Sequence, residues 1–262
     1  MPVRDDLGTR MKTFYENIPK TRLMRRTPVA IRIDGKAFHT FTRGFQKPFD
    51  PILMDAMQRT TQYLCRNIQG CVFGYTQSDE ITLILIDYQK LTSDAWFDYE
   101  VQKMTSVSAS MATMAFNKYF AENVAKYCST HDAFKDGNGP LIARYTTAVE
   151  NGACFDSRCF NIPKEEVTNL IFWRQLDATR NSIQMVGQAC FSHNELQDKT
   201  CNMIQDMLML QQGINWNDFP VSCKRGTACI KAFGSWIIDK NMPILKGEDR
   251  KYVDNLIYVG EE

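Results

Sequence analysis

Three short apolar runs dominate the first third of the chain, and carboxylates lie at their ends. Residues 29–33 are apolar except for Arg32 and are followed directly by Asp34 and Gly35. A run with so few polar positions predicts a strand at the centre of a sheet. Residues 71–76 and 80–87 form two further runs, and the residues between them end in Asp79. This arrangement predicts a β-hairpin with a tight turn.

Much of the remaining chain has apolar residues at helical spacing. Asp50 followed by Pro51 is a typical helix start, and Gly70 is a typical helix end. The pattern predicts helices over residues 5–18, about 51–68, about 94–119, from 162, and about 177–191, with two short helices within 195–213. It predicts further strands over residues 152–160, 223–230 and 252–259. Residues 129–151 are polar and contain glycine and asparagine, which favours a loop.

The character of the chain changes near residue 160, from strand-bearing to helical. We therefore predict a catalytic core over residues 1–160. The mostly helical part with late strands, residues 161–262, is expected to pack on that core as one compact unit. A chain of 262 residues is long enough to bury a substantial core.

Composition and charge exclude several classes of protein. The hydrophobic fraction is 44% and the net charge is +1, so the overall charge does not indicate a nucleic-acid partner. Residues 1–30, however, carry 7 Lys or Arg against 3 Asp or Glu, which suits either phosphate contact or a solvated basic surface. The 9 cysteines form no C-x-x-C pair, which favours reduced thiols in a cytoplasmic protein over a zinc site. No secretion signal or membrane-spanning run is apparent.

Asp34 and Asp79 are the candidate chemical centre. Two carboxylates from neighbouring strands can hold divalent metal ions, and two such ions can support a phosphoryl displacement. The carbonyl of Gly35 can add a ligand, because glycine lets the backbone approach closely. Strand alternation directs Glu80 away from Asp79 and makes it a weaker candidate ligand. The pattern predicts a metal-dependent nucleotide enzyme, although a lone Asp after a strand is more often a turn residue or a helix cap.

Cationic side chains near this centre are candidates for binding a nucleotide. Lys36, Lys47 and Lys103 can neutralise a triphosphate, and His39 can contact phosphate or sugar. Phe38 is more often a core residue than a stacking platform in such a position.

Several separated motifs make the interpretation more specific. They are RIDGKAFH (32–39), KP (47–48), YTQSDE (75–80), FDSR (155–158), WRQLD (173–177) and KRGT (224–227). In type, order and spacing these motifs resemble the tRNA-His guanylyltransferase superfamily over roughly residues 5–230.

The resemblance implies a polymerase-palm-like α+β fold, with an antiparallel sheet flanked by helices and a helical C-terminal half. It implies 3′-to-5′ addition of nucleotides to a tRNA 5′ end that ATP or GTP has first activated. It also implies a homo-oligomer, a tetramer, in which the tRNA crosses more than one subunit.

The resemblance further implies a set of site residues. Two Mg²⁺ ions would be held by Asp34, Gly35 and Asp79, with Lys47 as a catalytic residue beside the two carboxylates. The nucleotide-binding residues it implies are Asp34, Gly35, Lys36, Ala37, Phe38, His39, Ser78, Asp79 and Lys103. Arg32 and Glu80 are further candidates.

One departure from the family pattern bears on the substrate. Eukaryotic tRNA-His enzymes carry a His-Ile-Asn-Asn-Leu-Tyr-Asn motif after the Trp-Arg-Gln segment, and Thr179 stands here in place of its His. The chain is therefore more similar to the bacterial and archaeal branch, which repairs truncated tRNA 5′ ends by templated addition. We predict such repair with GTP and other triphosphates, with strict addition of G to tRNA-His as the alternative. A nucleotidyl cyclase and a non-catalytic RNA-binding module are alternatives of another class.

Overall fold

The part of the chain described by a computed structural model, residues 6–131 and 137–259, contains one six-stranded antiparallel sheet. Its strands are β1 (Val29–Gly35), β2 (Cys71–Gln77), β3 (Glu80–Leu85), β4 (Phe155–Asn161), β5 (Thr227–Ala232) and β6 (Ser235–Asp239). Their order across the sheet is β4-β1-β3-β2-β5-β6. The predicted central position of β1 and the predicted β2–β3 hairpin are therefore confirmed.

Ten helices accompany the sheet in the same part of the chain. They are α1 (Asp6–Met11), α2 (Phe38–Phe41), α3 (Pro51–Asn67), α4 (Val101–Thr130), α5 (Gly139–Asn151), α6 (Lys164–Cys190), α7 (His193–Leu196), α8 (Cys201–Gln212), α9 (Val221–Arg225) and α10 (Lys251–Ile257). The α+β class, with helices flanking an antiparallel sheet, is confirmed. None of the described helices combines the length and apolar content that a membrane crossing requires.

The sheet is covered on both faces. On one face, Ile31, Ile33 and Leu83 are fully buried in a cluster that includes residues of α3 and α4. On the other face, Phe73 and Ile84 belong to a cluster that includes residues of α6 and α10. A third, smaller cluster joins the second half of α6 to α8. The first cluster also includes Phe38, so it anchors the turn that follows β1.

The predicted loop over residues 129–151 is wrong. Helix α4 continues to Thr130, and α5 fills Gly139–Asn151; residues 132–136 lie outside the described part. Tyr145 and Ala148 of α5 are buried. Their helical spacing outweighs the polar composition that favoured a loop.

Several predictions for the second half of the chain are also wrong. The helices expected from 162 and 177 are one helix, α6, in which Asp177 binds Arg174 rather than capping a new helix. The strand expected over 252–259 is helix α10, whose Val253 and Ile257 are buried four residues apart. Strand β5 begins only at Thr227, and β6 was not predicted.

The helix expected over 5–18 is α1 followed by a π-helical turn that ends at Glu16. Residues 1–5 lie outside the described part, including Arg4 of the basic N-terminal segment. The division of the chain near residue 160 stays a prediction.

Candidate active site

The backbone joins the end of β1 to the β2–β3 turn beside the two candidate carboxylates. The Gly35 N–H donates a hydrogen bond to the Asp79 carbonyl oxygen at 3.1 Å. One residue earlier, Asp34 lies opposite Glu80 in the antiparallel pairing of β1 with β3. The fold thus brings Asp34 and Asp79 to one place from two separate segments.

The two carboxylates influence each other electrostatically. Burial raises the pKa of Asp79 above its usual value, and a 3.0 Å hydrogen bond from the Ser78 hydroxyl opposes this rise. The neighbouring charges of Asp34 and Glu80 raise it further. Among the described residues, neither Asp34 nor Asp79 forms an ion pair with Lys, Arg or His. Two close carboxylates without a cationic partner favour the binding of a cation.

The turn after β1 requires a glycine at its start. A Cβ atom on Gly35 would lie 2.2 Å from Cδ2 of Phe38, which is closer than any real contact. Two other residues of the site, Ala37 (φ 55°) and Ser78 (φ 51°), adopt the left-handed conformation that non-glycine residues rarely use. Backbone strain of this kind is concentrated at ligand-binding sites.

These turns form one wall of a cleft of about 640 Å³. Its lining includes seven of the predicted site residues, namely Gly35, Ala37, Phe38, His39, Lys47, Ser78 and Asp79. The ring of Phe38 is mostly in the core, because it is only 5% exposed and packs on Phe41, Phe116 and Phe155. Lys47 supplies positive charge to the lining and His39 supplies an imidazole, so the cleft can accept an anionic ligand.

The lining also includes residues that were not predicted. Arg43 adds a second positive charge, Leu53 is apolar, and Met185 and Gln188 come from α6. Asp50 is buried there, accepting hydrogen bonds from the Gln46 and Leu53 N–H groups and from the Tyr145 hydroxyl. Asp50 was predicted only as a helix cap, and Tyr145 comes from a segment predicted as a loop.

Three predicted site residues, Asp34, Lys36 and Lys103, are not part of the cleft lining. The Lys36 side chain is exposed and is not part of the lining. Lys103 lies over the Phe97 ring, 4.9 Å from its centroid, at the start of α4. On the same helix, Thr113 bonds to the N–H of Phe155, which lies opposite Gly35. At 1.5 Å per residue, Lys103 is about 15 Å from Thr113 along the helix.

Comparison with known proteins identifies the family of this chain. The model of the Thg1 family, tRNAHis guanylyltransferase, matches residues 8–163, which is more than half of the chain. The chain belongs to this family. It is therefore a nucleotidyltransferase of the tRNA guanylyltransferase type, as the motifs predict.

Solved structures extend the similarity to the whole chain. A bacterial tRNA(His) guanylyltransferase (Thg1)-like protein in complex with ATP is 42% identical, with a TM-score of 0.82 over 97% of this chain and 100% of that chain. Another such structure, in complex with GTP, is 39% identical, with a TM-score of 0.77 and the same coverage. The tRNA(His) guanylyltransferase of Saccharomyces cerevisiae is 24% identical over 76% of this chain and 80% of that protein.

The family motif at 173–177 positions the start of β3. Arg174 binds the Glu80 carboxylate through two hydrogen bonds, from Nε at 2.6 Å and from Nη2 at 2.9 Å. Arg32 donates a third at 3.0 Å, and Glu80 itself is only 6% exposed. Glu80 and Arg32 are therefore occupied with each other and with Arg174, on the face of the sheet covered by α6. They hold the start of β3, and with it Asp79, in position, and they do not line the cleft.

The motif at 224–227 connects the site to β5. Gly226 has φ +81°, and a Cβ atom there would lie 2.5 Å from the Tyr75 hydroxyl oxygen. That hydroxyl donates to the Arg225 carbonyl oxygen at 2.6 Å. The motif thus fixes β2, which leads directly into the Ser78-Asp79 turn.

The segment 179–185, which departs from the eukaryotic motif after the Trp-Arg-Gln segment, borders the site. Thr179 donates its hydroxyl to the Gln175 carbonyl oxygen of its own helix at 2.9 Å. Further along α6, Asn181 lines a groove beside Gln77 and Ser78, and Met185 lines the cleft itself. The departure from the eukaryotic motif therefore changes a wall of the site.

Proposed function

We propose that this member of the Thg1 family extends tRNA 5′ ends in the 3′-to-5′ direction. When the 5′ end is a monophosphate, its phosphate oxygen first attacks the α-phosphorus of ATP or GTP, which joins AMP or GMP to the 5′ end and releases pyrophosphate. The 3′-hydroxyl of the incoming nucleotide then attacks the activated 5′ phosphorus, and the activating AMP or GMP leaves; pyrophosphate leaves from a triphosphate end. The backbone bond between Gly35 and Asp79 carries this proposal, because it holds two carboxylates beside a cleft with a cationic lining.

The residues of the cleft suggest how a nucleotide is held. Lys47 and Arg43 would neutralise the phosphates, His39 would contact phosphate or sugar, and the Ser78 hydroxyl lies beside Asp79. Leu53 and Met185 offer apolar contact to a base or sugar. Structures of similar bacterial proteins with ATP and with GTP support a nucleoside triphosphate as the ligand of this cleft.

Asp34, Asp79 and the Gly35 carbonyl would hold two Mg²⁺ ions. No group of three or more His, Cys, Asp or Glu side chains suited to a metal occurs in residues 6–131 and 137–259. Mg²⁺ commonly takes only one or two protein carboxylates and completes its shell with water and substrate phosphates, so two carboxylates beside a phosphate-binding cleft fit it. When bound, the ions would stabilise the attacking and leaving oxygens.

Templated repair is favoured over strict addition of G to tRNA-His. The observation behind this preference is Thr179, which replaces the His of the eukaryotic motif and is hydrogen-bonded within its own helix. Strict addition is the second candidate, because the relatives in Saccharomyces cerevisiae and Dictyostelium discoideum carry that activity in their names.

The site also distinguishes the proposed function from the two alternatives of another class, a non-catalytic RNA-binding module and a nucleotidyl cyclase. A module that only binds RNA has no need of two adjacent carboxylates without cationic partners. A cyclase would convert GTP to a cyclic product without RNA. Incubation of the protein with labelled GTP alone should therefore give no cyclic nucleotide.

The site assignment is tested by Asp79→Asn and Asp34→Asn. Each should lower nucleotide addition to a truncated tRNA by about a thousandfold or more, because several kcal/mol of metal-dependent stabilisation is lost. The thermal unfolding midpoint should stay within a few degrees of wild type, since neither carboxylate forms an ion pair. Asp206→Asn, an exposed substitution on α8, is the matched control. Full activity in either site variant would refute the assignment.

A further inference from the structure

Asp34 belongs to the face of the sheet that the first half of α6 covers. Directly opposed residues of an antiparallel pair have side chains on the same face. Asp34 is opposite Glu80 on β3 and Asp156 on β4, and the Glu80 carboxylate binds Arg174 of α6. Asp79 lines the cleft, to which the second half of α6 contributes Met185 and Gln188. The pair of carboxylates therefore borders both the cleft and the surface beside Arg174.

Trp173 is a half-exposed aromatic residue in the first half of α6. Its side chain is 50% exposed, whereas Trp96 and Trp216 are each 7% exposed. The Arg174 guanidinium carbon lies 4.5 Å from the centroid of the Trp173 ring, and that of Arg32 lies 5.5 Å from it. Both guanidinium groups also bind Glu80, the residue after Asp79. The indole ring is thus held in place next to the candidate centre, with part of its surface open.

The two arginines over the Trp173 ring are already paired. Arg174 and Arg32 bind Glu80; Arg180 of the same helix binds Asp177, and Arg158, opposite Arg32 on β4, binds Asp156 at 3.0 Å. A triphosphate needs unpaired cations, for which Lys47 and Arg43 in the lining of the cleft are the candidates. A flat aromatic surface among neutralised charges instead suits the face of a base.

We propose that Trp173 stacks on the terminal base pair at the RNA end that is being extended. This inference rests on the proposed function, because it assigns the cleft to the nucleoside triphosphate and the surface around Trp173, outside the cleft lining, to the RNA. An RNA duplex presents a flat, unstacked base pair at its end, and aromatic side chains commonly cover such bases. The arrangement places the RNA 5′ phosphate near Asp34 while the triphosphate approaches Asp79 from the cleft.

Binding measurements test the proposal without requiring turnover. A truncated tRNA carrying 2-aminopurine as its 5′-terminal base should lose fluorescence on binding the wild-type protein, because stacking quenches this base. Trp173→Ala should abolish the quenching and weaken tRNA binding about 5- to 100-fold, the range found for base–aromatic stacking. Trp173→Phe should retain part of both effects. Leu176→Ala is the control, because Leu176 is also 50% exposed on the same helix.

The affinity for GTP separates stacking from a purely structural role. Trp173→Ala should leave the dissociation constant for GTP unchanged, because the ring does not line the cleft. An equal loss of GTP and tRNA affinity would show that Trp173 acts through Arg174 and Glu80, and would overturn the proposal. Unquenched 2-aminopurine on the wild-type protein would overturn it too, even if Trp173→Ala fails to fold. Failure of the proposed function would appear differently, as wild-type protein that binds tRNA but adds no nucleotide.

Discussion

The geometry of the site depends on a single residue, Gly35. Its N–H contacts the Asp79 carbonyl, and its Cα faces the Phe38 ring so closely that no side chain fits. Gly35→Ala should therefore displace Phe38 from the core or separate β1 from the β2–β3 turn. We expect a loss of about 1–3 kcal/mol in the free energy of unfolding, as for other overpacked sites, together with a loss of nucleotide addition.

Urea denaturation of Gly35→Ala, with the addition assay run on the same protein, measures both effects. Gly137→Ala is the comparison, because its added Cβ would have no atom within 4 Å; any effect there would come from the φ of +65° and not from crowding. Wild-type stability and activity in Gly35→Ala would contradict the packing described for this turn.

At the residue scale, the sequence identified much of the site but not all of it. The RIDGKAFH and YTQSDE motifs contain Gly35, Ala37, His39, Ser78 and Asp79, all of which line the cleft. Met185 and Gln188 were missed because they come from a helix distant in sequence, and no local pattern indicates which helix face meets a cleft. Lys103 matched a family position, but the path of α4 along β4 places it away from the cleft, and the sequence did not reveal that path.

At the element scale, an ion pair connects α6 to β3. Arg174 and Glu80 are both nearly buried, and Arg32 is the other cation that contacts Glu80. Arg174→Met should destabilise the protein by about 3 kcal/mol, because breaking a buried pair leaves a poorly compensated charge. Because Glu80 adjoins Asp79, nucleotide addition should fall as well.

A double-mutant cycle checks this prediction. Glu80→Gln combined with Arg174→Met should restore part of the lost stability, because the buried Glu80 charge is removed and the remaining Arg32 cation is 20% exposed to solvent. Arg180→Met is the matched control, since Arg180 is 62% exposed and its pair with Asp177 should contribute at most about 1 kcal/mol. Equal destabilisation by Arg174→Met and Arg180→Met would contradict the assigned role.

The elements themselves were predictable where apolar periodicity was strong. The central strand β1, the β2–β3 hairpin and α3 with its Asp50 cap lie where the pattern places them. Helix α5 was missed because its polar residues obscured the buried Tyr145 and Ala148, which contact a core formed by distant segments. Helix α10 resembled a strand because its apolar residues are dense in a short run, and only the packing of Val253 and Ile257 fixes the period.

At the scale of the whole molecule, the N-terminal segment exposes several large apolar side chains. Leu7, Phe14, Tyr15, Ile18 and Met24 are each at least 60% exposed. Exposed apolar groups of this size mark surfaces that contact another protein. We propose that they contribute to contacts between copies of the chain in the tetramer that the family resemblance implies.

Light scattering after size-exclusion chromatography tests this assembly. The wild-type protein should elute as a tetramer, and Phe14→Ser with Ile18→Ser should shift the mass towards smaller species. Leu210→Ser, an 84%-exposed position on α8, should leave the mass unchanged. A wild-type monomer would contradict the proposed assembly.

The most direct test of the central claim is the choice of nucleotide added to a truncated tRNA. A tRNA lacking its first 5′ nucleotide is offered each of the four triphosphates with Mg²⁺, and the opposing base is then exchanged for each of the other three. We predict that the added nucleotide follows the opposing base and is the same with a His or a non-His anticodon. Addition of G whatever the opposing base, or only to tRNA-His, would contradict templated repair.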